Sequence, residues 1–249
     1  MRPENYTLVF EDNFLDCELN ENNWLRQQPW GVIHPKGPHQ YYDKDSVHVT
    51  DEGLILDQKY KPKEIEHWDG TKYHPDYAVG LVSSKQSFSY GWYEFEAQLP
   101  TGRGLWPAIW MASFDSWPPE IDLLEGYTTN SKRYNIFPFF FKRRVKTNVY
   151  YKESPDFPVK NVKGKSHWMW KDPSNYFLNY ACHWEKDFIR FYYDGNLVRT
   201  IDDPRILNTF NSKMYIILNN AVDPEYKYSI SPFQLSEFKV RSVKVYQNV

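Results

Sequence analysis

Nowhere in this chain do apolar residues recur at the helical spacing over a dozen or more positions; they come in short runs broken by turn formers. Trp92-Tyr93-Glu94-Phe95-Glu96-Ala97 alternates with period two, and Thr101-Gly102-Arg103-Gly104 follows as a turn. Strands are predicted over 6–10, 46–50, 53–57, 78–84, 91–99, 105–112, 135–141, 144–151, 177–184, 188–193, 197–201, 214–219 and 237–247. Asp51-Glu52-Gly53 and Asp194-Gly195 read as the turns of two hairpins. Many short strands separated by turns predict an all-β sandwich of two packed antiparallel sheets. The stretches 27–42, 59–77 and 152–175 read as loops, the first two rich in rings. No Gly/Ser linker, repeat or low-complexity tract divides the 249 residues, so one domain over 1–249 is expected.

One stretch carries more charge than a structural strand needs. Pro118-Pro119-Glu120-Ile121-Asp122-Leu123-Leu124-Glu125-Gly126 places three carboxylates within six residues. On a strand, Glu120 and Asp122 share a face and regular alternation sends Glu125 to the other. A single-residue bulge near Leu123–Leu124 restores parity and gathers all three acids. Their mutual repulsion raises pKa values, a cost without a structural return. Chemistry that pairs one ionised carboxylate with one protonated carboxyl uses such a set. The competing reading is an edge strand with a solvated acidic face.

Composition narrows the rest. A net charge of −2 gives no whole-chain electrostatic footprint for nucleic acid. Aromatic residues make up 18% of a chain whose mean hydropathy is −0.72, which suggests rings lining a wet groove as well as filling a core. Cys17 and Cys182 leave two options open, one disulfide or two buried thiols. No run approaches the roughly 18 apolar residues of a membrane span, and Met1-Arg2-Pro3-Glu4-Asn5 shows no apolar signal region. His34, His39, His67, His74, His167 and His183 lack metal-ligand spacing, so no catalytic metal is expected.

With the strands placed, Glu120-x-Asp122-x-x-Glu125 resembles the bulged signature of family 16 glycoside hydrolases. Leu99-Pro100-x-Gly102-x-Gly104-Leu105-Trp106-Pro107-Ala108-x-Trp110-Met111 is similar to that family's most recognisable run. Gly80-Leu81-Val82-Ser83-Ser84-Lys85 and Phe88-Ser89-Tyr90-Gly91 extend the likeness upstream; Tyr180-Ala181-x-His183-Trp184 and Phe191-Tyr192-x-Asp194-Gly195 extend it downstream. The resemblance implies a β-jelly-roll whose concave face holds a polysaccharide groove, with retaining hydrolysis of internal β-glycosidic bonds. It implies Glu120 as nucleophile, Glu125 as general acid and then base, and Asp122 as the residue that tunes the nucleophile. It also places Trp110, with Trp106, along the groove. Trp30, Trp68, Tyr73 and His74 lie in loops as candidate groove walls. Lys142-Arg143-Arg144-x-Lys146 is either a solvated hairpin or, through Arg143, a contact for an anionic sugar.

The sequence also departs from the family pattern. Asn148 stands on the strand after the acids where many relatives carry His, and Asn219-Asn220-Ala221-Val222 replaces a Gly-Gly-x-Trp stretch. Arg241 occupies the position at which many relatives bind a structural calcium through Asp; a cation cannot ligate Ca²⁺, so no calcium and no other cofactor is expected. The readings carried forward are an endo-acting retaining glycosidase on β-1,3- or mixed-linkage glucan, slightly favoured, and a β-galactanase on agar-like, porphyran-like or host glycans. A non-catalytic carbohydrate-binding module is the reading of another class. The expected partner is a polysaccharide, met by a monomer that is secreted, periplasmic or at the cell surface.

Overall fold

The alternating run at 92–97 is the middle of a strand whose Tyr93, Phe95 and Ala97 face the interior. Opposite them lie Ile109 and Met111, from a strand of a second sheet, in one continuous core. This is the sandwich that period-two alternation on two faces requires. The computed structural model describes residues 2–249 apart from 30, 34–36, 103, 127–142, 155 and 225–235.

Among the described residues the first sheet has ten strands. In spatial order they are β18 (Asn196–Ile201), β17 (Phe188–Tyr193), β16 (Leu178–Glu185), β10 (Gly91–Gln98), β20 (Ser236–Gln247), β5 (Gly53–Tyr60), β8 (Tyr77–Val79) and β3 (Gln40–Tyr42). β1 (Thr7–Asp12) pairs with β20, and β4 (Val47–Thr50) with β5. The second sheet runs β14 (Lys160–Asn161), β13 (Arg144–Tyr151), β12 (Glu120–Glu125), β11 (Leu105–Ser113), β19 (Met214–Val222), β9 (Leu81–Phe88) and β2 (Trp24–Leu25). β15 (Lys165–Trp168) pairs with β13, and β6 (Ile65–Glu66) with β7 (Lys72–Tyr73) as a separate hairpin. Among the described residues, β3 pairs with β8 in parallel and the other strand pairings are antiparallel. Pro204–Leu207 forms one turn of helix capped by the Asp203 side chain, and Lys44–Ser46 a 3-10 turn capped by Asp43. Among the described residues no helix is long and apolar enough to cross a membrane.

Several expectations need correction or restriction. The predicted strand 78–84 is two strands in different sheets, and Gly80 is the crossing point. A Cβ there would meet the Ser46 carbonyl oxygen at 2.3 Å and the Leu56 Cα at 2.8 Å, so the chain crosses where only glycine fits. The stretch 152–175 is not a plain loop, because β14 and β15 continue the second sheet beyond β13. The stretch 59–77 likewise contains the β6–β7 hairpin, and the predicted strand 135–141 lies outside the described residues. The two cysteines are unpaired, with Cys17 exposed and Cys182 buried.

Candidate active site

β12 lies between β11 and β13, and its register against β11 slips once. Glu120 faces Ala112, Ile121 faces Met111 and Asp122 faces Trp110; then Leu124 faces Ile109 and Glu125 faces Ala108. Leu123 is the extra residue. Leu123 and Leu124 both lie fully buried in the main core, so the side of β12 that would have taken Glu125 is filled with leucine. The three acids consequently share one face with Trp106, Ala108 and Trp110 of β11. β13 supplies the neighbours on the other side, with Tyr150 opposite Glu120 and Asn148 opposite Asp122.

Burial raises the proton affinity of all three carboxyls, but their partners differ. Glu120 is pushed up to about 7 by burial; the Trp117 indole N–H, donating to its Oε2 at 2.6 Å, pulls it down, the Glu125 charge pushes it up, and a hydrogen bond with Asp122 pulls it down. Asp122 is held far above the usual carboxylate range by burial, then by the charges of Glu120 and Glu125, and by its hydrogen bond to Glu120. That bond therefore runs from a protonated Asp122 to an ionising Glu120. Glu125 is raised by burial and held back by the Asn148 side-chain N–H, 3.3 Å from its Oε2, and by the Lys146 charge. The set offers one carboxylate kept usable as an anion and another that retains its proton.

The acids open into a cleft of about 340 Å³ walled by Tyr42, Trp106, Trp110, Trp117, Tyr150 and Asn219. Trp110 is oriented by its indole N–H, which donates to Asn219 Oδ1 at 2.7 Å. Trp106 packs against the backbone just after Glu125: a Cβ on Gly126, whose φ is +42°, would sit 2.8 Å from Cδ1 of that indole.

The model of the family described as glycosyl hydrolases family 16 matches residues 39–223. The chain belongs to this family. A glucan endo-1,3-beta-glucosidase of Niallia circulans is 26% identical over 255 residues, covering 90% of this chain and 35% of its own length. An endo-1,3-1,4-beta-glycanase of Rhizobium meliloti is 27% identical over 233 residues, covering 86% and 46%. The chain thus spans less than half the length of these relatives. The laminarinase catalytic domain from Thermotoga maritima has the same fold, with a TM-score of 0.75 at 22% identity over 99% of this chain and 100% of that one.

In this family 16 chain the structure gathers some of the candidate residues and leaves others apart. Trp106 and Trp110 line the cleft, and Asn148 reaches Glu125. Trp68 and His74 do not line it. Trp68 is 85% exposed on the β6–β7 hairpin, beside the His67 ring, and His74 lies 3.9 Å from Glu64. The hairpin is anchored by Ile65 in a small satellite core with Ile33, Tyr41 and Ala78, against which Tyr73 packs. Arg143 is also absent from the cleft; its guanidinium donates to the Trp170 carbonyl. Trp30 and Lys142 lie outside the described residues.

Sequence reasoning missed Trp117, Tyr42, Tyr150 and Asn219. Tyr150 and Asn219 were findable, since Tyr150 lies opposite Glu120 and Asn219 opposite Ala108, which itself faces Glu125. Trp117 had its position three residues before Glu120 as its one signal.

Proposed function

We propose that this chain is a single catalytic domain that cleaves internal β-glycosidic bonds of a glucan with retention of configuration. The observation that carries the reading is the bulge at Leu123, which sets Glu125 on the face of Glu120 and Asp122 in an aromatic cleft. Double displacement needs two carboxyls about 5–5.5 Å apart, one attacking and one donating a proton. Glu120 attacks the anomeric carbon while Glu125 protonates the leaving oxygen, giving a glycosyl ester on Glu120. Water then attacks that ester, Glu125 takes its proton, and Glu120 leaves as carboxylate. Asp122 keeps its own proton throughout and donates a hydrogen bond to Glu120, which favours the anion in both the attack and the departure.

The names of the Niallia, Rhizobium and Thermotoga relatives support β-1,3- or mixed-linkage glucan as the substrate. A carbohydrate-binding module would have no use for three desolvated acids, which argues against a purely binding role. The chain is read as a monomer that meets its polysaccharide outside the cytoplasm. It is also read as independent of calcium at the C-terminal strand, because the residues there do not suit the ion. Arg241 pairs with Glu96 at 3.1 Å and lies over the Phe177 ring, leaving a cation where an oxygen ligand is required.

The test is digestion of a panel of β-glucans and red-algal galactans, with product size followed in time and the first-formed anomer read by proton NMR. Large early oligosaccharides of β-configuration from a glucan are expected. Release of the α-anomer sinks the double displacement, monosaccharide release from chain ends sinks endo action, and cleavage of galactan alone moves the substrate to the second class.

A further inference from the structure

The carbonyl of Leu123, the residue of the register slip that gathers the acids, receives a hydrogen bond from outside the ladder, from a hydroxyl whose second, longer acceptor is the Lys146 carbonyl at 3.4 Å. The donor comes from the opposite sheet. Tyr193, at the end of β17, is 2% exposed, and its hydroxyl donates to the Leu123 oxygen at 2.7 Å inside the core. Its ring is held edge-on by Tyr180, with centroids 5.3 Å apart, and by His167 at 5.5 Å. A buried phenol needs an acceptor and a bulge carbonyl needs a donor, and here each meets the other's need.

We propose that Tyr193 is a positioning residue for Glu125: through the Leu123 carbonyl, its hydroxyl fixes the bulge and so the face on which the general acid stands. Without the donor, the carbonyl either stays buried and unpaired or the strand shifts to pair it. A shift of one residue turns Glu125 toward the core. Glu120 and Asp122 precede the slip and are held on both sides, opposite Ala112 and Trp110 on β11 and opposite Tyr150 and Asn148 on β13. The effect is therefore selective, disturbing the proton donor while leaving the nucleophile in place. The inference rests on the catalytic reading above for its consequence, but its structural half does not.

The test compares Tyr193→Phe with Tyr180→Phe, which deletes a neighbouring buried hydroxyl that has no hydrogen-bond partner among the described residues. On polysaccharide, Tyr193→Phe is expected to lose roughly 10–100-fold in kcat with KM within about twofold of wild type. On a dinitrophenyl β-glycoside with azide present, neither acid nor base help is needed, and the same variant is expected to match wild type. Amide exchange at Leu124 and at Gly126, whose N–H bonds to the Pro107 carbonyl at 2.9 Å, should quicken in Tyr193→Phe and stay unchanged in Tyr180→Phe. Wild-type kcat in Tyr193→Phe, an equal loss on both substrates, or a lowered Tm with unchanged kcat overturns the proposal.

If the wild-type protein cleaves no polysaccharide, the catalytic reading fails by itself. The exchange measurement then decides the positioning role, with unchanged protection of Gly126 counting against it and quickened exchange supporting it. If Tyr193→Phe does not fold, Tyr193→4-aminophenylalanine, a weaker donor at the same point, takes its place in the same measurements. A loss confined to the polymer supports the proposal, and no loss or an equal loss overturns it.

Discussion

Glu120 shows what the site costs the fold. Its carboxyl holds a proton up to about pH 7 in the folded protein, against 4.5 for an ordinary glutamate. The folded state therefore binds the proton more tightly than the unfolded chain. The stability tied to that proton is present below about pH 4.5 and is lost as pH rises through 7. Glu120→Gln removes the buried charge along with the nucleophile. Its Tm should match wild type near pH 4 and exceed it at pH 8, by roughly 1–3 kcal/mol of stability, with turnover abolished and binding retained. Thermal melts at the two pH values, with binding followed by calorimetry, check both halves.

The neighbours set the limbs of the activity profile. Trp117→Phe removes a donor that lowers the proton affinity of Glu120, so the acidic limb of kcat/KM should move to higher pH, with a loss of roughly tenfold on that side. Lys146→Met removes a charge that lowers the proton affinity of Glu125, so the alkaline limb should move to higher pH. Movement of either limb in the opposite direction contradicts the assigned roles. At this scale the three acids were legible because their spacing is incompatible with plain alternation. Trp117 was not, since a ring in a Pro-rich turn gives no sign of the direction in which its N–H points.

At the scale of elements, period-two patterning locates the long strands because each buries one face in a common core. It fails where an element is too short to show a period, as at β14 and β15, or where one apolar run serves two sheets, as on either side of Gly80. The bulge in β12 was readable because chemistry demanded it and two successive leucines allowed it. Its closing residue makes a further prediction. Gly126→Ala places a methyl against the Trp106 indole at a positive φ, which should cost about 1–2 kcal/mol and push Trp106 out of the cleft. A raised KM alongside a lowered Tm is expected, and a normal KM would show that Trp106 does not bind substrate.

For the molecule as a whole, Arg241, Glu96 and Phe177 form a contact that joins β20 to β10 and the segment before β16. Millimolar calcium or a chelator should therefore leave Tm unchanged, and a calcium-dependent rise would place an ion that this reading excludes. Truncating Arg241 to Ala should cost no more than about 1 kcal/mol, because the pair is exposed. The tertiary course of the chain was the least legible level, since strand patterns say which face is buried and not which strand lies alongside. β20 makes the point. It is inserted between β10 and β5 and also carries β1, so the first sheet is held together by residues 236–247. During synthesis β5 and β10 leave the ribosome without their common neighbour, and the edges that face it stay unpaired until β20 has cleared the exit tunnel. Completion of this sheet is thus timed by the emergence of β20, and a force-sensing arrest sequence fused behind the chain should register its strongest pull as residues 236–247 emerge.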